Sequence, residues 1–364
     1  MNWSKKILLI ITIPVSVLLL LSYASMYINP AKVWFSPFFG LAYIPILIAN
    51  LLLLILWFLM NKKVFIYLLI ILLVGFKAHS VSYAMHFPKN NTDDENAIRL
   101  LTFNVRGFDE FSSSTTKEYQ QSIVDGIADV DADIICLQEF SSYHNSKKAQ
   151  DNYLAIKKAS GLKYEYYYKV YENKKHTRSY GILILSKFPV KDTGKINYKA
   201  LSNTNSSIYA DLDINGKMVR LITAHLQSNQ LTPQDLDVVE SPNAEALKEI
   251  EAKRIIGKLS TSYRLRAGQA EAIDEAKENS PYPVIICGDF NDTPVSYAYR
   301  NISENMQDAF LNNGFGLGAT FKPFPFIRID YILLQDDVFK ILDYKRIANP
   351  GSDHYMVTAA FTIQ

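Results

Sequence analysis

Acidic residues and arginine are missing from the first 86 residues, whose charged side chains are six lysines. Protein surfaces in water normally mix both signs of charge, so this segment is not built like an ordinary soluble surface. Removing those six from the 38 Lys and Arg residues of the chain leaves 32, against 36 Asp and Glu. The rest therefore carries about −4, and the two parts of the chain are built for different surroundings.

Cysteine is also scarce, with Cys136 and Cys287 as the two examples in 364 residues. This excludes a disulfide-stapled scaffold. Each cysteine lies inside an apolar, strand-like run, which favours buried thiols over a disulfide.

Long apolar runs fill the acid-free segment. The runs predict about three transmembrane helices, at 7–28, 38–60 and 64–85, the third only if it continues past Lys77. A signal peptide would explain the first run, but two further runs follow without a linker. We therefore expect residues 1–86 to be a transmembrane anchor in contact with the lipid bilayer.

Lysine pairs predict the orientation of this anchor. Lys5 and Lys6 precede the first run, and Lys62 and Lys63 separate the second from the third. Placing both pairs in the cytoplasm satisfies the positive-inside rule. Three spans then predict a multi-pass membrane protein with an extracytoplasmic C-terminal part, whereas two spans would leave that part in the cytoplasm.

The remaining chain alternates short apolar runs with amphipathic stretches. A polar linker is expected at 87–97, followed by one domain at 98–364. Strands outnumber helices and are interleaved with them, which predicts an α/β sandwich of sheets covered by helices. The expected strands are Ile98–Val105, Ile134–Leu137, Tyr164–Tyr171, Gly181–Leu185, Ser207–Ile214, Met218–Ala224, Val284–Cys287, Ile329–Leu334 and Met356–Ile363, and the expected helices are Lys117–Ala128, Lys147–Ala159 and about Asn243–Glu278.

Polar side chains with catalytic chemistry stand at the ends of six of these strands. A single Asp, Asn or His at a strand end is typical of a turn or a surface. Six in one domain, gathered at one edge of a sheet sandwich, favour a cleft suited to metal-assisted hydrolysis. The residues are Asn104, Glu139, His225, Asp289 with Asn291, Asp330, and Asp353 with His354.

The order of six motifs resembles the endonuclease/exonuclease/phosphatase superfamily. The motifs are "LTFNVR", "ICLQEF", "ITAHLQ", "GDFND", "RIDYIL" and "SDHYMV". That superfamily includes pancreatic-type DNases, abasic-site endonucleases, bacterial neutral sphingomyelinases and inositol-polyphosphate 5-phosphatases. The resemblance covers about residues 98 to 364. It implies a four-layer sandwich of two mainly antiparallel sheets flanked by helices, here preceded by an N-terminal transmembrane helical anchor.

The resemblance also implies a metal site. Glu139 corresponds to the metal-binding glutamate of the superfamily, and Asn104 and Asp353 are further metal candidates. Mg²⁺ is the expected ion, with Mn²⁺ as the alternative, because such ions prefer carboxylate and amide oxygens.

Five residues are expected to carry the chemistry of phosphoester hydrolysis. His354 is the candidate general base, and the resemblance implies that Asp330 orients it. Asp289 would align the attacking water and Asn291 would donate to a phosphoryl oxygen. His225 would stabilise the transition state.

Several features leave the substrate open between lipid headgroup, nucleotide and nucleic acid. Arg106 stands where several abasic-site endonucleases carry an acid, and the signatures of inositol 5-phosphatases are absent. The acidic balance disfavours a nuclease. The one basic run, Arg254–Arg266, has the spacing of a solvated helix face, with a phosphate-binding face as the alternative. The aromatic stretches Phe321–Tyr331 and Tyr164–Tyr171 suit either packing or an interfacial rim.

The sequence as a whole predicts a membrane-anchored, divalent-metal-dependent phosphoester hydrolase of the phosphodiesterase type. No protein partner is predicted. One alternative is an extracytoplasmic nuclease acting on DNA or RNA. Another is a non-catalytic binding protein on the same fold, although such a protein has no need to keep all these polar residues together.

Overall fold

The computed structural model describes residues 3–86, 94–109, 116–144, 150–198, 205–230 and 249–364. These residues fall into two compact units. The helical unit comprises Met1–Ser82, Gln227–Glu271 and Asp292–Ile302, and the sandwich unit comprises Tyr83–Leu226, Ala272–Asn291 and Ser303–Gln364. Most of the expected linker, 87–97, lies outside the described residues. The domain boundaries expected from the sequence stay a prediction.

Ten α-helices are formed by the described residues. The first five are α1 Trp3–Ser25, α2 Ser36–Leu41, α3 Tyr43–Met60, α4 Lys62–Val74 and α5 Phe76–Ser82. The other five are α6 Lys117–Ala128, α7 Asn152–Ser160, α8 Glu249–Glu278, α9 Tyr297–Ile302 and α10 Ala309–Asn313. The predicted helix at 117–128 is confirmed, and the expected start of α8 at 243 lies outside the described residues.

Helices α1 and α3 are long and apolar enough to cross a membrane, as predicted for the first two runs. The third predicted helix, 64–85, is instead broken into α4 and α5, which are bent by 61° and count as a third span if they cross together. The break falls at Gly75, where an added Cβ would lie 2.1 Å from Cζ of Tyr23. A close approach of α1 therefore requires glycine at this point.

Polar contacts join the apolar helices to one another. Trp57 Nε1 donates to Thr12 Oγ1 at 2.8 Å, and Ser16 Oγ donates to Asn50 Oδ1 at 3.2 Å. Such hydrogen bonds between apolar helices satisfy groups that lipid would leave unpaired. Near the N-terminus of α1, Lys5 Nζ donates to the carbonyl of Met60 at the end of α3, at 2.9 Å.

The helical unit also contains later parts of the chain. The segment after α1 contacts α8, because Asn29 Nδ2 donates to Glu271 Oε1 at 2.8 Å. The rings of Phe38 and Tyr263 are 5.9 Å apart. At Gly40, an added Cβ would lie 2.1 Å from the carbonyl oxygen of Val295. The apolar helices therefore pack against segments that sequence order places far away.

Two six-stranded mixed sheets build the sandwich unit. The strands are β1 Ala84–Met85, β2 Ile98–Asn104, β3 Ile134–Tyr143, β4 Tyr164–Glu172, β5 Arg178–Ser186, β6 Val190–Lys195, β7 Ser207–Ile214, β8 Lys217–His225, β9 Val284–Asp289, β10 Met306–Asp308, β11 Phe315–Gly316, β12 Asp330–Gln335, β13 Phe339–Ala348 and β14 Tyr355–Ile363. One sheet has the order β13-β14-β2-β3-β5-β4 and the other has β10-β12-β9-β8-β7-β6. Each contains a single parallel pair, β2 with β3 and β8 with β9. A small ribbon pairs β1 with β11.

A hydrophobic core lies between the two sheets. Leu100 and Ile184 from one sheet and Leu221 and Ile285 from the other are fully buried in it. Cys136 and Cys287 also lie in this core as free thiols, which confirms the sequence interpretation. On the other side of the first sheet, α6 and α7 contribute buried side chains to a second core, together with strand residues such as Leu101 and Leu137. The predicted class, α/β with two mainly antiparallel sheets flanked by helices, is confirmed.

Candidate active site

Asn104, at the end of β2, connects the two sheets at the site. Its Nδ2 donates to Glu139 Oε1 at 3.1 Å and to Asp289 Oδ2 at 3.0 Å. Its Oδ1 accepts from the backbone N–H of Arg106 at 3.0 Å. This hydrogen bond fixes the orientation of the side-chain amide. One amide thus holds a carboxylate from each sheet in a common position.

Glu139 reaches this position through a distortion of β3. The pairing of β3 with β5 shifts register between Leu137 and Phe140, and Glu139 has φ of 52°. A bulge redirects a side chain that regular alternation would turn elsewhere. Non-glycine residues in the left-handed region are uncommon and concentrate at functional sites.

The "GDFND" stretch ends β9 in a tight turn. Gly288 has φ of 128°, and an added Cβ would lie 2.0 Å from the carbonyl oxygen of Ala224. Beyond it, Asp289 Oδ1 accepts from the backbone N–H of Asn291 at 2.8 Å. Asn291 itself has φ of 52°, and its Nδ2 donates to Asp289 Oδ2 at 3.1 Å and to the carbonyl of Leu226 at 3.0 Å. The strand end therefore brings a carboxylate and a carboxamide into direct contact.

His354 and Asp330 form a buried pair. His354 Nδ1 lies 2.9 Å from Asp330 Oδ2, and the other ring nitrogen, Nε2, lies 3.8 Å from Asp289 Oδ2. This arrangement orients the imidazole and leaves Nε2 next to the Asp289 carboxylate.

Thr320 fixes this pair from the loop before β12. Its Oγ1 accepts the backbone N–H of Asp330 at 3.0 Å, and its carbonyl accepts the N–H of Tyr355 at 2.8 Å. On the other side, Ser352 Oγ accepts the N–H of His354 at 3.1 Å. Both partners of the pair are thus held by hydrogen bonds to their own backbone.

His225, at the end of β8, is the second histidine of the candidate site. Its Nε2 lies 3.5 Å from Glu139 Oε1 and 3.9 Å from Asp289 Oδ2. Asn205 Nδ2 lies 3.1 Å from the same ring nitrogen and donates to the carbonyl of Leu226 at 2.9 Å. His225 therefore lies near both carboxylates that the Asn104 amide binds.

Asp353 lies next to Arg106 and His354. Its Oδ2 lies 3.7 Å from Arg106 Nε, and its Oδ1 lies 4.0 Å from His354 Nε2. The backbone of Arg106 has a left-handed conformation, with φ of 47°. Arg106 thus places a cation next to the Asp353 carboxylate.

The electrostatic surroundings raise the pKa values of His354 and Asp289. Burial alone would lower the pKa of His354, but the charges of Asp330 and Asp289 outweigh it and raise the pKa to about 10. Burial raises the pKa of Asp289, and the charge of His354 offsets this only in part. In the absence of a cation, His354 therefore carries a proton at neutral pH.

The donor set fits a divalent cation. Among the described residues, one acidic and histidine group has its ligand atoms within 4.8 Å of one another, namely Asp289, Asp330 and His354. Asp330 and His354 already bind each other, so Asp289, which accepts hydrogen bonds from Asn104 and Asn291, is the remaining oxygen donor of that group. Glu139 adds a second carboxylate through the shared Asn104 amide. Hard oxygen donors of this kind suit Mg²⁺ or Mn²⁺.

All eight residues singled out in the sequence lie in the sandwich unit and are linked by these contacts. Their chemical roles stay predictions. Sequence reasoning missed two polar residues that hold them, Asn205 and Thr320. No strand-end motif marks these residues, and their partners His225 and Asp330 are 20 and 10 positions away in the chain.

The basic run Arg254–Arg266 is divided between surface and interior. Arg266 is fully buried in the helical unit, where its Nη1 donates to the carbonyl of Gln227 at 2.8 Å and its guanidinium lies 4.2 Å from the Tyr263 ring. At its C-terminal end the run thus serves packing and hydrogen bonding rather than a solvated face.

Two mixed sheets, with carboxylate, amide and imidazole groups meeting at their strand ends, define the class of DNase-like phosphoesterase folds. Residues 101–354 match the Endonuclease/Exonuclease/phosphatase family, and the chain belongs to that family. Residues 5–82 match a domain of unknown function (DUF8431). No curated protein matches the sequence.

Similar solved structures support the fold. The human Nocturnin catalytic domain with bound sulfate anion is 16% identical, with a TM-score of 0.53 over 75% of this chain and 96% of that one. D. rerio TDP2 complexed with single strand DNA product is 16% identical, with a TM-score of 0.51 over 74% and 100%. A functionally unknown conserved protein from Enterococcus faecalis V583 is 15% identical, with a TM-score of 0.51 over 73% and 100%.

Proposed function

We propose that the protein is a membrane-anchored, divalent-metal-dependent phosphoester hydrolase of the phosphodiesterase type. The observation that carries this proposal is the position of Asp289. Its carboxylate shares the Asn104 amide with Glu139 and lies 3.8 Å from Nε2 of His354. Oxygen donors for a hard cation and a group able to move a proton therefore meet at one carboxylate.

Glu139 and Asp289 would hold the cation. The Glu139 side chain is 27% exposed and that of Asp289 is 1% exposed, so solvent ions reach Glu139 first. When bound, Mg²⁺ or Mn²⁺ would neutralise charge on the phosphoryl oxygens and offset the carboxylate charge that keeps His354 protonated. Asn104 positions the two carboxylates through its amide. Asp353 is a further ligand candidate, released from Arg106.

His354 would serve as the general base. Asp330 binds Nδ1 and leaves Nε2 to accept a proton from water. Asp289, next to Nε2, would align that water for in-line attack. Oxygen from water would then bond to phosphorus while the bond from phosphorus to the ester oxygen breaks, and that oxygen would leave as the alcohol after accepting a proton from solvent water.

Asn291 and His225 would act on the phosphate. The amide of Asn291 donates to Asp289 Oδ2 and to the carbonyl of Leu226, and it would exchange the second of these partners for a phosphoryl oxygen. His225, 3.5 Å from Glu139, would stabilise charge that develops in the transition state.

The substrate is proposed among lipid headgroups, nucleotides and nucleic acids. Anchoring at a bilayer raises the effective concentration of lipid headgroups. An extracytoplasmic nuclease is the alternative, favoured by the single strand DNA product in the similar D. rerio TDP2 structure. The balance of about −4 outside the first 86 residues weighs against it.

The anchor is proposed to consist of residues 1–86, followed by the linker at 87–97 and the catalytic domain at 98–364. The hydrogen bond from Lys5 to Met60 brings the start of α1 next to the end of α3. Both lysine pairs then lie at one face of the bilayer, as the positive-inside rule requires. With α4 and α5 as a third span, the catalytic domain lies outside the cytoplasm.

Hydrolysis of bis-p-nitrophenyl phosphate by the full-length protein in detergent tests the activity. We expect turnover with Mg²⁺ or Mn²⁺ and none after EDTA treatment. His354→Ala should lower kcat by about 100-fold or more, and Glu139→Gln should weaken activation by the metal. His176→Ala is the matched control, because that histidine is 75% exposed.

Two results would overturn the proposal: full activity of His354→Ala, or turnover that EDTA leaves unchanged. A panel of sphingomyelin, phosphoinositides, single-stranded DNA and plasmid DNA then identifies the substrate class. Binding without turnover of any of these would favour the non-catalytic alternative.

A further inference from the structure

A buried glutamine, directly before Glu139 in the chain, joins the two sheets of the sandwich. Gln138 is fully buried, and its Nε2 donates to Thr102 Oγ1 at 3.0 Å and to Thr223 Oγ1 at 2.9 Å. Thr102 belongs to β2, in the same sheet as Gln138, whereas Thr223 belongs to β8 in the other sheet. One side-chain amide therefore connects the sheets from inside. None of the hydrolytic steps proposed above uses this residue.

The two threonines lie one layer beneath the candidate site. Thr102 is two positions before Asn104 on β2, and Thr223 is two positions before His225 on β8. Side chains two positions apart in a strand point to the same face of the sheet. The hydrogen bonds of Gln138 thus cross the sandwich directly below the groups that Asn104 and His225 bring to the site.

Gln138 also belongs to the bulge that turns Glu139 into the site. The register of β3 against β5 shifts between Leu137 and Phe140, so Gln138 and Glu139 together face a single residue of β5. On the other side of β3, Gln138 pairs with Asn104 in the parallel ladder with β2. Hydrogen bonds that fix the Gln138 side chain therefore also hold the backbone from which Glu139 departs.

Packing alone does not explain an amide at this position. Cys136, Ile182 and Cys287 are fully buried neighbours in the core between the sheets. Gln138 Oε1 is buried and has no hydrogen-bond partner among the described residues. A buried polar atom without a partner costs free energy, which an apolar side chain of the same size would avoid. An amide that links the sheets despite this cost favours a role in the site over a role in stability.

We propose that Gln138 is a positioning residue for the cation site. It sets the separation of the two sheets beneath Asn104, and with it the separation of the Glu139 and Asp289 carboxylates that would hold the cation. This inference rests on the proposed function, because it concerns the metal site on which hydrolysis would depend. Gln138 acts through these residues and not on the substrate.

Binding of Mn²⁺ to the full-length protein in detergent, followed by the EPR signal of free Mn²⁺, tests this role without turnover. Gln138→Met keeps the length of the side chain but removes the donor, and Thr223→Val keeps the shape of threonine but removes the acceptor. We expect either substitution to raise the Kd for Mn²⁺ by about tenfold or more, because losing a residue that orients metal ligands weakens metal binding to that extent.

The effects of the two substitutions should also be coupled. Both break the hydrogen bond between Gln138 and Thr223, so the double variant should have the same Kd for Mn²⁺ as Gln138→Met alone. With bis-p-nitrophenyl phosphate at saturating Mg²⁺, kcat should fall less than Kd rises, because the groups that act on the phosphate are unchanged.

Gln120→Met is the matched control, because it replaces another buried glutamine of the sandwich unit. Gln120 lies in α6, and its Oε1 accepts the backbone N–H of Gln150 at 3.2 Å. Losing this hydrogen bond should lower Tm and leave the Kd for Mn²⁺ unchanged.

An unchanged Kd in both Gln138→Met and Thr223→Val would overturn the positioning role. An equal rise in Gln120→Met would overturn it as well, since loss of stability would then explain the effect, and so would additive effects of the two substitutions. If Gln138→Met does not fold, Thr223→Val decides alone.

The same measurements separate this inference from the proposed function. Wild-type protein that binds Mn²⁺ but hydrolyses no phosphoester would overturn the proposed function, and the Kd values of the variants would still decide the role of Gln138. Wild-type protein that binds no Mn²⁺ would overturn both.

Discussion

At the scale of single residues, the proton on His354 links the candidate site to stability. The folded-state pKa of about 10 lies above the value of about 6.5 for an ordinary histidine. The resulting stabilisation is fully present below pH 6.5 and is lost as pH rises through 10. In EDTA, the gap in Tm between wild type and His354→Gln should therefore shrink from pH 6.5 to 10.

His176→Gln gives the matching baseline for this comparison, because His176 is exposed and its removal should shift Tm little at any pH. A gap for His354→Gln that stays constant or widens toward pH 10 would contradict the raised pKa.

Single residues also show which parts of the candidate site could be predicted from the sequence. Asp289, Asp330 and His354 were predictable because each is an ionisable group at the end of an apolar strand or directly next to it. Thr320 and Asn205 were not, since a hydroxyl or amide in a loop looks like any turn residue until its partner is known. The left-handed backbone of Glu139 was equally hidden, because it depends on the pairing of β3 with β5.

At the scale of elements, Gly288 controls how β9 meets β8. Its φ of 128° and the 2.0 Å separation between an added Cβ and the Ala224 carbonyl leave no room for a side chain. Gly288→Ala should therefore lower Tm by several degrees and reduce turnover, because Asp289 follows directly. Thermal unfolding and bis-p-nitrophenyl phosphate hydrolysis measure both effects.

Gly268→Ala provides the same substitution without the clash. Gly268 lies in α8, and an added Cβ there has no atom within 4 Å, so helix propensity predicts an unchanged or higher Tm. A Gly288→Ala variant as stable as Gly268→Ala would show that the close approach is not needed.

Some strands can be predicted from hydrophobic runs in the sequence, and others cannot. Central strands such as β9 are buried at every position, which gives a continuous apolar run. The strands that the sequence prediction missed in the two six-stranded sheets, β6, β10 and β13, are all sheet edges. Edge strands such as β6 carry polar, half-exposed residues, so their sequence resembles a loop.

At the scale of the whole molecule, the proposed three spans fix the side of the membrane. Alkaline phosphatase fused after Gln364 should be active, because it folds outside the cytoplasm, and a fluorescent protein fused there should be dark. The same reporters fused after Asn61, between the second and third spans, should give the opposite result. A cytoplasmic signal at Gln364 would reduce the anchor to two spans.

The make-up of the helical unit gives a further prediction about the molecule as a whole. Segments from α8 and from 292–302 share this unit with the apolar helices. Glu271 accepts a hydrogen bond from Asn29, the Tyr263 ring contacts Phe38, and Val295 approaches Gly40. Without residues 1–86, these partners lose buried contacts.

Limited proteolysis with mass spectrometry compares the full-length protein with residues 87–364. We expect cleavage within 249–271 and 292–302 to become at least several-fold faster in the shortened chain, because local opening costs less when contacts are missing. The strands β7 to β9 serve as the internal control and should be cleaved equally slowly in both. Equal protection of 249–271 in the two proteins would mean that the apolar helices do not support this part of the chain.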